Sequence, residues 1–391
     1  MRMPAKPKAT VTLLSLALAA GLVACSSDSD ESGPKGDEKP SAAETGVSGD
    51  FPKQDVIITA VCSPNNGAGA VVRVDGWNPR SWKQVAHAEF PLPDTAVIEH
   101  EKSRPASAVR ELCEPQPDPA DAGDAAAVRS LFDQDFTRMA VVTEDPQTRA
   151  THVGYVDRSG KFTDLTGNED FGDTPEEDNA AFARDGSAIW LTYEVVDEPG
   201  VSTKDRLASR AVAGDHQLVD RLEADIISDP VIVTGSPGTP VLADSAHISP
   251  DGKHLLAEGR VLDVPENGEP VGPEQVEEAP DTTVCPGQVG WVDNDTVLCD
   301  GSTPGDAERR FATVDITPNA EPGPPIIPGS DRRNYGNVIS PDGRNFVFFS
   351  TRGAERDHFI SSTEPGSTPK KVERKGEFAV LGETVVFIDW R

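Results

Sequence analysis

The chain is 391 residues long and carries 66 acidic residues against 36 lysines and arginines, a formal charge of −30. So acidic a surface repels nucleic acid and anionic lipid headgroups and offers no basic stripe to engage either, which sets nucleic-acid binding aside. Glycine and proline number 34 each, enough punctuation for many hairpins.

The amino end reads as an export signal. Arg2, Lys6 and Lys8 are followed by an apolar run from Val11 to Ala24, and no acid precedes Asp28. That run is too short to span a bilayer but suits a cleaved signal. It ends in Leu22-Val23-Ala24-Cys25, which resembles the lipobox of bacterial lipoproteins. The resemblance implies a signal peptide over 1–24, acylation of Cys25, and a chain held outside the cytosol at the cell membrane by its lipid. Removing 1–24 takes away three basic residues and no acid, so the formal charge moves from −30 to −33. Residues 25–50 then hold the lipidated Cys and a Ser/Asp/Glu/Gly/Pro-rich stretch with almost nothing to bury, which predicts a disordered tether. The acids Asp28, Asp30 and Glu31 lack the bidentate Glu of a calcium loop and read as spacer.

Setting Cys25 aside leaves Cys62, Cys113, Cys285 and Cys299, an even number for an oxidising compartment. Three pairings exist. Cys285–Cys299 is favoured because the two flank a predicted hairpin turn, leaving Cys62–Cys113. No Cys-x-x-Cys spacing occurs, so neither zinc nor a thioredoxin-like motif is indicated.

From 51 to 391 the chain alternates short apolar strands with Pro/Gly/Asp-rich turns, without a long segment of helical periodicity. The strands VIITAV, AVVRVDG and WKQVAHAEF come first and carry no motif. A recurring unit follows. It reads FDQDFTRMAVV at 132–142, FARDGSAIWLT at 182–192, ISPDGKHLLAE at 248–258, WVDNDTVLC at 291–299, ISPDGRNFVFF at 339–349 and, faintly, LGETVVFIDW at 381–390. In the full version Pro fixes φ, Asp bonds the turn backbone and Gly supplies positive φ, so each copy is a tight turn between antiparallel strands. A further strand pair follows each copy, such as THVGYVD and KFTDLTG, and the anchors recur about 40 to 66 residues apart. Four-stranded units at that spacing predict an all-β propeller, because one such unit cannot bury its faces alone.

ISPDGK at 248–253 and ISPDGR at 339–344 resemble the PD40, or WD40-like, repeat of TolB-like propellers and of the propellers of prolyl-oligopeptidase-type enzymes. The resemblance spans roughly 130–390; 54–115 joins by strand pattern and would complete a blade begun by the last strands, EFAVLG and TVVFIDW. Six anchors with that shared blade give six blades. Seven is the alternative, since the interval from Asp185 to Asp251 could hold a degenerate unit.

Little in the chain resembles an active site. The oligopeptidase resemblance stops before a hydrolase domain, with Arg391 directly after the last strand. GSTPG at 301–305 puts Thr where a nucleophile elbow needs Ser. His100-Glu101 lacks the second zincin His, and Gly67 and Gly69 lack the third Gly of a dinucleotide loop. His247 and His254 flank the Asp251 turn and read as surface residues. The acidic turn Asp293-Asn294-Asp295 reads as a hairpin rather than a calcium site. Trp190, Trp291 and Trp390 fall within strand patterns and are expected to pack between blades. Trp77 and Trp82, in the loop-rich WNPRSW, form the candidate exposed binding surface. The Glu/Pro-rich loop 265–281 is the longest irregular insertion in a repeat and a candidate contact surface.

The expectation is therefore a chain that is not an enzyme and needs no metal or cofactor. It would be a monomeric, lipid-anchored protein-interaction or sensing module that contacts another envelope protein, as the TolB resemblance implies. A receptor for a carbohydrate or peptide at the propeller mouth is the alternative, and a lyase or esterase with side chains in the channel is a third reading.

Overall fold

Tight turns and alternating apolar residues do build strands throughout the body. The computed structural model describes residues 47–391 except 65–68, 99–107, 114–124, 168–175, 196–203, 225–230, 235–238, 244, 267, 279–286, 301–309, 318–319, 354, 374–377 and 380–384. The signal over 1–24, Cys25, the tether up to residue 46, Cys285, Gly67, His100, Glu101, Glu383 and the 301–305 string lie outside the described residues.

The described strands form seven antiparallel sheets that follow one another along the chain. The first contains β1 (Ile57–Pro64), β2 (Ala70–Trp77) and β3 (Gln84–Pro91), and is followed by two short helices, α1 (Ala108–Cys113) and α2 (Ala125–Ser130). The second holds β4 (Arg138–Glu144), β5 (Thr151–Asp157) and β6 (Phe162–Asp164). The third holds β7 (Glu177–Phe182), β8 (Ala188–Val195), β9 (Lys204–Ala211) and β10 (Leu218–Ala224). The fourth is the pair β11 (Val231–Thr234) and β12 (Pro240–Ala243). The fifth holds β13 (Ala246–Ile248), β14 (His254–Ala257) and β15 (Arg260–Asp263), and is followed by α3 (Pro273–Glu278). The sixth holds β16 (Gly287–Trp291), β17 (Thr296–Asp300) and β18 (Ala312–Asp315). The seventh holds β19 (Arg333–Ile339), β20 (Asn345–Arg352), β21 (Glu355–Ser362) and β22 (Lys370–Lys371). Finally β23 (Val386–Trp390) pairs with β1 on the side away from β2, so the first sheet takes strands from both ends of the body. TVVFIDW supplies that strand; Phe378 of EFAVLG sits instead in a short helical turn against Trp77.

Each sheet packs face to face with the next, and the series returns to its start. Val142 and Val153 of the second sheet meet Phe182 and Leu191 of the third. Leu207 of the third meets Ile232 and Leu242 of the fourth, and Leu256 of the fifth meets Trp291 and Val297 of the sixth. Leu298 of the sixth meets Phe346 and Phe348 of the seventh, whose Val338 and Val347 meet Ile57, Val61 and Phe387 of the first. The largest cluster joins Val72 and Phe90 of the first sheet to Met139 and Val141 of the second, and Val233 and Val241 of the fourth to Ala246 and Leu255 of the fifth. Such a closed ring of face-to-face sheets is a β-propeller, and it buries both faces of every sheet. The six units counted from the sequence fall one short of the seven sheets observed. The extra sheet, β11–β12, lies in the interval between Asp185 and Asp251, where a short strand pair, joined to β7 by packing and by the Thr234 hydroxyl donating to the Phe182 carbonyl at 2.7 Å, leaves no turn motif to read.

Cys62 at β1 is disulfide-bonded to Cys113 at the end of α1, which ties the helical segment to the first sheet. Cys299 is also disulfide-bonded. The loop 265–281 is not wholly irregular: Val271 bridges to Val241 and α3 follows directly.

Candidate functional site

Trp77 and Trp82 do not form a surface. Trp77 is fully buried at the end of β2, still paired with Ile57, and its indole N–H donates to Thr59 Oγ1 at 2.8 Å. Trp82 is half-buried against Phe378 and Phe387. Both serve the packing between the first and seventh sheets, because the pairing of β2 and β3 continues to Trp77 and carries its side chain onto the face shared with Val338 and Phe387.

The repeated turns set the geometry of a different site. In the copy at 248–252 the Ser249 hydroxyl donates to Asp251 at 2.8 Å and accepts from the His254 amide at 2.9 Å. Ser340 does the same with Asp342 at 2.7 Å and the Asn345 amide at 2.9 Å. The Ser249 hydroxyl, helped by the Lys253 amide, lowers the Asp251 carboxyl to about 2; Ser340 lowers Asp342, and Ser187, on the far side of its turn, lowers Asp185. Gly252 and Gly343 sit at φ of 74° and 69°. In the copy at 132–136 Phe136 takes that left-handed position at φ 53°, a strain offset by packing between Phe51 and Phe132.

Because β7, β13 and β19 run into such turns, equivalent turn residues meet at the axis. A cavity of about 400 Å³ lies there, walled by β11, β13, β16, β19 and β23 and by one side of α2. The turn residue after the serine position reaches its rim: Pro250 and Pro341 in the full copies, and Arg184 in the copy at 182–192. α2 packs on β7, β11 and β23, and Ser130 holds it by accepting from the Thr234 amide at 3.0 Å.

The charged side chains of the wall are Arg129, Arg184 and Asp389, with His247 beside them. Arg129 Nε lies 3.1 Å from Asp389, its Nη1 donates to the Phe132 carbonyl at 2.9 Å, and its guanidinium covers the Phe136 ring at 4.5 Å. Arg391 covers Phe136 at 4.9 Å and reaches Asp389 at 2.7 Å. Burial lowers Arg129 to about 10. Burial pushes the Asp389 carboxyl up, but the charges of Arg129 and Arg391 outweigh it and leave the group below the ordinary carboxylate range. Arg184 is exposed on the rim and has no ion pair among the described residues.

His247 was expected on the surface beside its turn; it lines the cavity instead, and its carbonyl accepts from the Trp291 indole at 2.8 Å. His254 turns away from it, stacking on Trp291 and lying 3.2 Å from Asp263. Trp291 and Trp390 line the cavity, and Asn337 Oδ1 is buried in its wall without a hydrogen-bond partner among the described residues. Asn294 in the acidic turn accepts from the Asp251 amide at 3.1 Å, a bond between neighbouring sheets. Among the described residues no group of three or more His, Cys, Asp or Glu is gathered to hold a metal ion.

No protein-family model matches the sequence, and no curated protein does. Among solved structures the chain is similar to an oligogalacturonate lyase in complex with manganese, at 13% identity over 82% of this chain and 75% of that one, with a TM-score of 0.38. It is similar to a prolyl endopeptidase at 12% identity, covering 82% of this chain and 42% of that one, TM-score 0.36. A TolB structure from Agrobacterium tumefaciens is similar at 10% identity over 81% of this chain and 80% of that one, TM-score 0.23. Several of the similar structures are enzymes, so the expectation that this chain is not an enzyme is withdrawn. With every one of these TM-scores below 0.5, no activity is transferred from them.

Proposed function

We propose that the chain is a lipid-anchored, extracytoplasmic propeller of seven blades of the PD40 type. In this reading it serves as a binding or sensing module of the cell envelope, and the axial cavity is its ligand pocket. The anchor rests on the order of basic end, apolar run, small residues and Cys25. What carries the pocket is the convergence of five inner strands and α2 on one space lined by apolar side chains and a few charged ones. Any envelope partner would then meet a rim whose turns are fixed by their own Ser–Asp bonds.

Native mass spectrometry of the intact chain purified from its membrane tests the pocket. Ala126 lines the cavity from α2, so Ala126→Trp fills it while leaving the sheets untouched. A one-to-one adduct on the parent protein that disappears in the variant supports the reading; no adduct, or one retained by the variant, overturns it. Cys25→Ala should move the chain from the membrane to the soluble fraction, and retention at the membrane would refute the anchor.

A further inference from the structure

We infer that the axial cavity takes a small amphipathic organic anion, a carboxylate on an apolar body, and that Arg184 is its charge anchor at the rim. The inference rests on reading the cavity as a ligand pocket and names the ligand class.

The cavity inverts the charge of the molecule. The chain holds 66 acids against 36 lysines and arginines, yet among the described residues only one acid, Asp389, lines the cavity, against two arginines. That acid is already shared by two guanidiniums, Arg129 at 3.1 Å and Arg391 at 2.7 Å, so the cluster itself carries excess positive charge. Arg184 adds a second positive charge that nothing described neutralises. The turn aspartates beside the rim stay ionised, but none of them lines the cavity: Asp185 is held in its own turn by the Ser187 amide at 2.9 Å and hydroxyl at 2.6 Å, and Asp251 and Asp342 by Ser249 and Ser340. A cleft of one sign in a molecule of the other focuses the field and concentrates ligands of opposite charge.

The repeat sharpens the point. Where two copies place proline, which stiffens the turn, the copy at 182–192 places an arginine that makes no ion pair among the described residues. The rest of the wall decides the body of the ligand. Val233, Ile248, Val338 and Ile388, with Trp291 and Trp390, leave apolar surface that a bare inorganic anion would not cover.

The test is calorimetric titration of the intact membrane-purified chain, with tryptophan fluorescence as a second readout. The probes are hexanoate and indole-3-acetate, each against its neutral amide. Both acids should saturate one site, with the amides at least about tenfold weaker, the size of one charge-assisted bond. Arg184→Ala should weaken the acids by about tenfold and leave the amides unchanged, and Arg184→Lys should restore part of the loss. Arg184 is exposed and makes no ion pair among the described residues, so these variants should keep the parent circular dichroism and melting curve, whereas Arg129→Gln risks the fold. Acids that fail to saturate, amides that match acids, or an Arg184→Ala chain that binds acids as the parent does would each overturn the inference. A native adduct lost in Ala126→Trp but kept in Arg184→Ala would overturn the anion and leave the pocket standing.

Discussion

Arg210 and Glu177 form the most deeply buried ion pair described, with side chains 1% and 0% exposed. Arg210 Nε and Nη2 lie 2.8 and 2.5 Å from Glu177 Oε1, and Nη1 donates to the His216 carbonyl at 2.8 Å. The other carboxylate oxygen accepts from Thr166, whose hydroxyl oxygen accepts from the Val153 amide at 3.1 Å. The network therefore links the third sheet to the second. Arg210→Met keeps much of the aliphatic volume but leaves the Glu177 carboxylate buried without its cation. Removing one partner of a buried pair costs about 3–5 kcal/mol. At a urea slope of about 3 kcal/mol/M this lowers the midpoint by about 1–2 M. Arg210→Met combined with Glu177→Leu removes both charges and should recover about half of the loss or more. Urea unfolding followed by fluorescence and circular dichroism, with coincident transitions, measures both. A single variant within about 1 kcal/mol of the parent, or a double variant no better than the single, would refute the reasoning.

Three further outcomes are expected. Cys62 and Cys113 are 51 residues apart, so Cys62→Ala combined with Cys113→Ala should cost about 4 kcal/mol in the chain-entropy account, read from the same urea transitions. An added Cβ at Gly343 would sit 1.9 Å from the Val292 carbonyl oxygen, at φ 69°, whereas at Gly353, φ 59°, it meets nothing within 4 Å. Gly353→Ala should therefore cost about 1–2 kcal/mol and Gly343→Ala clearly more, a ranking that thermal melts check. The hydrogen bond to buried Asp75 raises His87 above 6.5 against the opposing effect of burial. Its stabilisation is complete below the unfolded value and is lost as pH rises through the folded one, so the parent should lose more stability than His87→Gln between about pH 6 and pH 8.

The turns were the most legible part of the sequence. Ser249-Pro250-Asp251-Gly252 and its copy at 340–343 make the bonds their residue types demand, with Gly at positive φ. The seam was legible too, because TVVFIDW holds a short unbroken apolar run of strand-forming residues and β1 needed a partner. α2 was not. Six residues rich in alanine, in a stretch of Pro, Asp and Gly, show no helical period, and the segment is held in place by tertiary bonds such as Thr234 to Ser130. Trp77 misled because WNPRSW has turn composition, while the side chains that bury the indole, Val338, Phe378 and Phe387, are remote in sequence. The cavity left one local sign, the arginine that replaces proline in FARDG, but its meaning depends on strands brought together from most of the ring.

The strand that latches the ring also completes the pocket. β23 supplies Asp389 and Trp390 to the cavity wall and follows every other described strand along the chain. Until it docks, Arg129 lacks its carboxylate and β1 shows a bare edge, the kind of edge that recruits foreign strands. Closure of the cavity wall and protection of the β1 edge therefore come together: a chain whose β23 has not docked has an unfinished cavity and an open sheet edge at once.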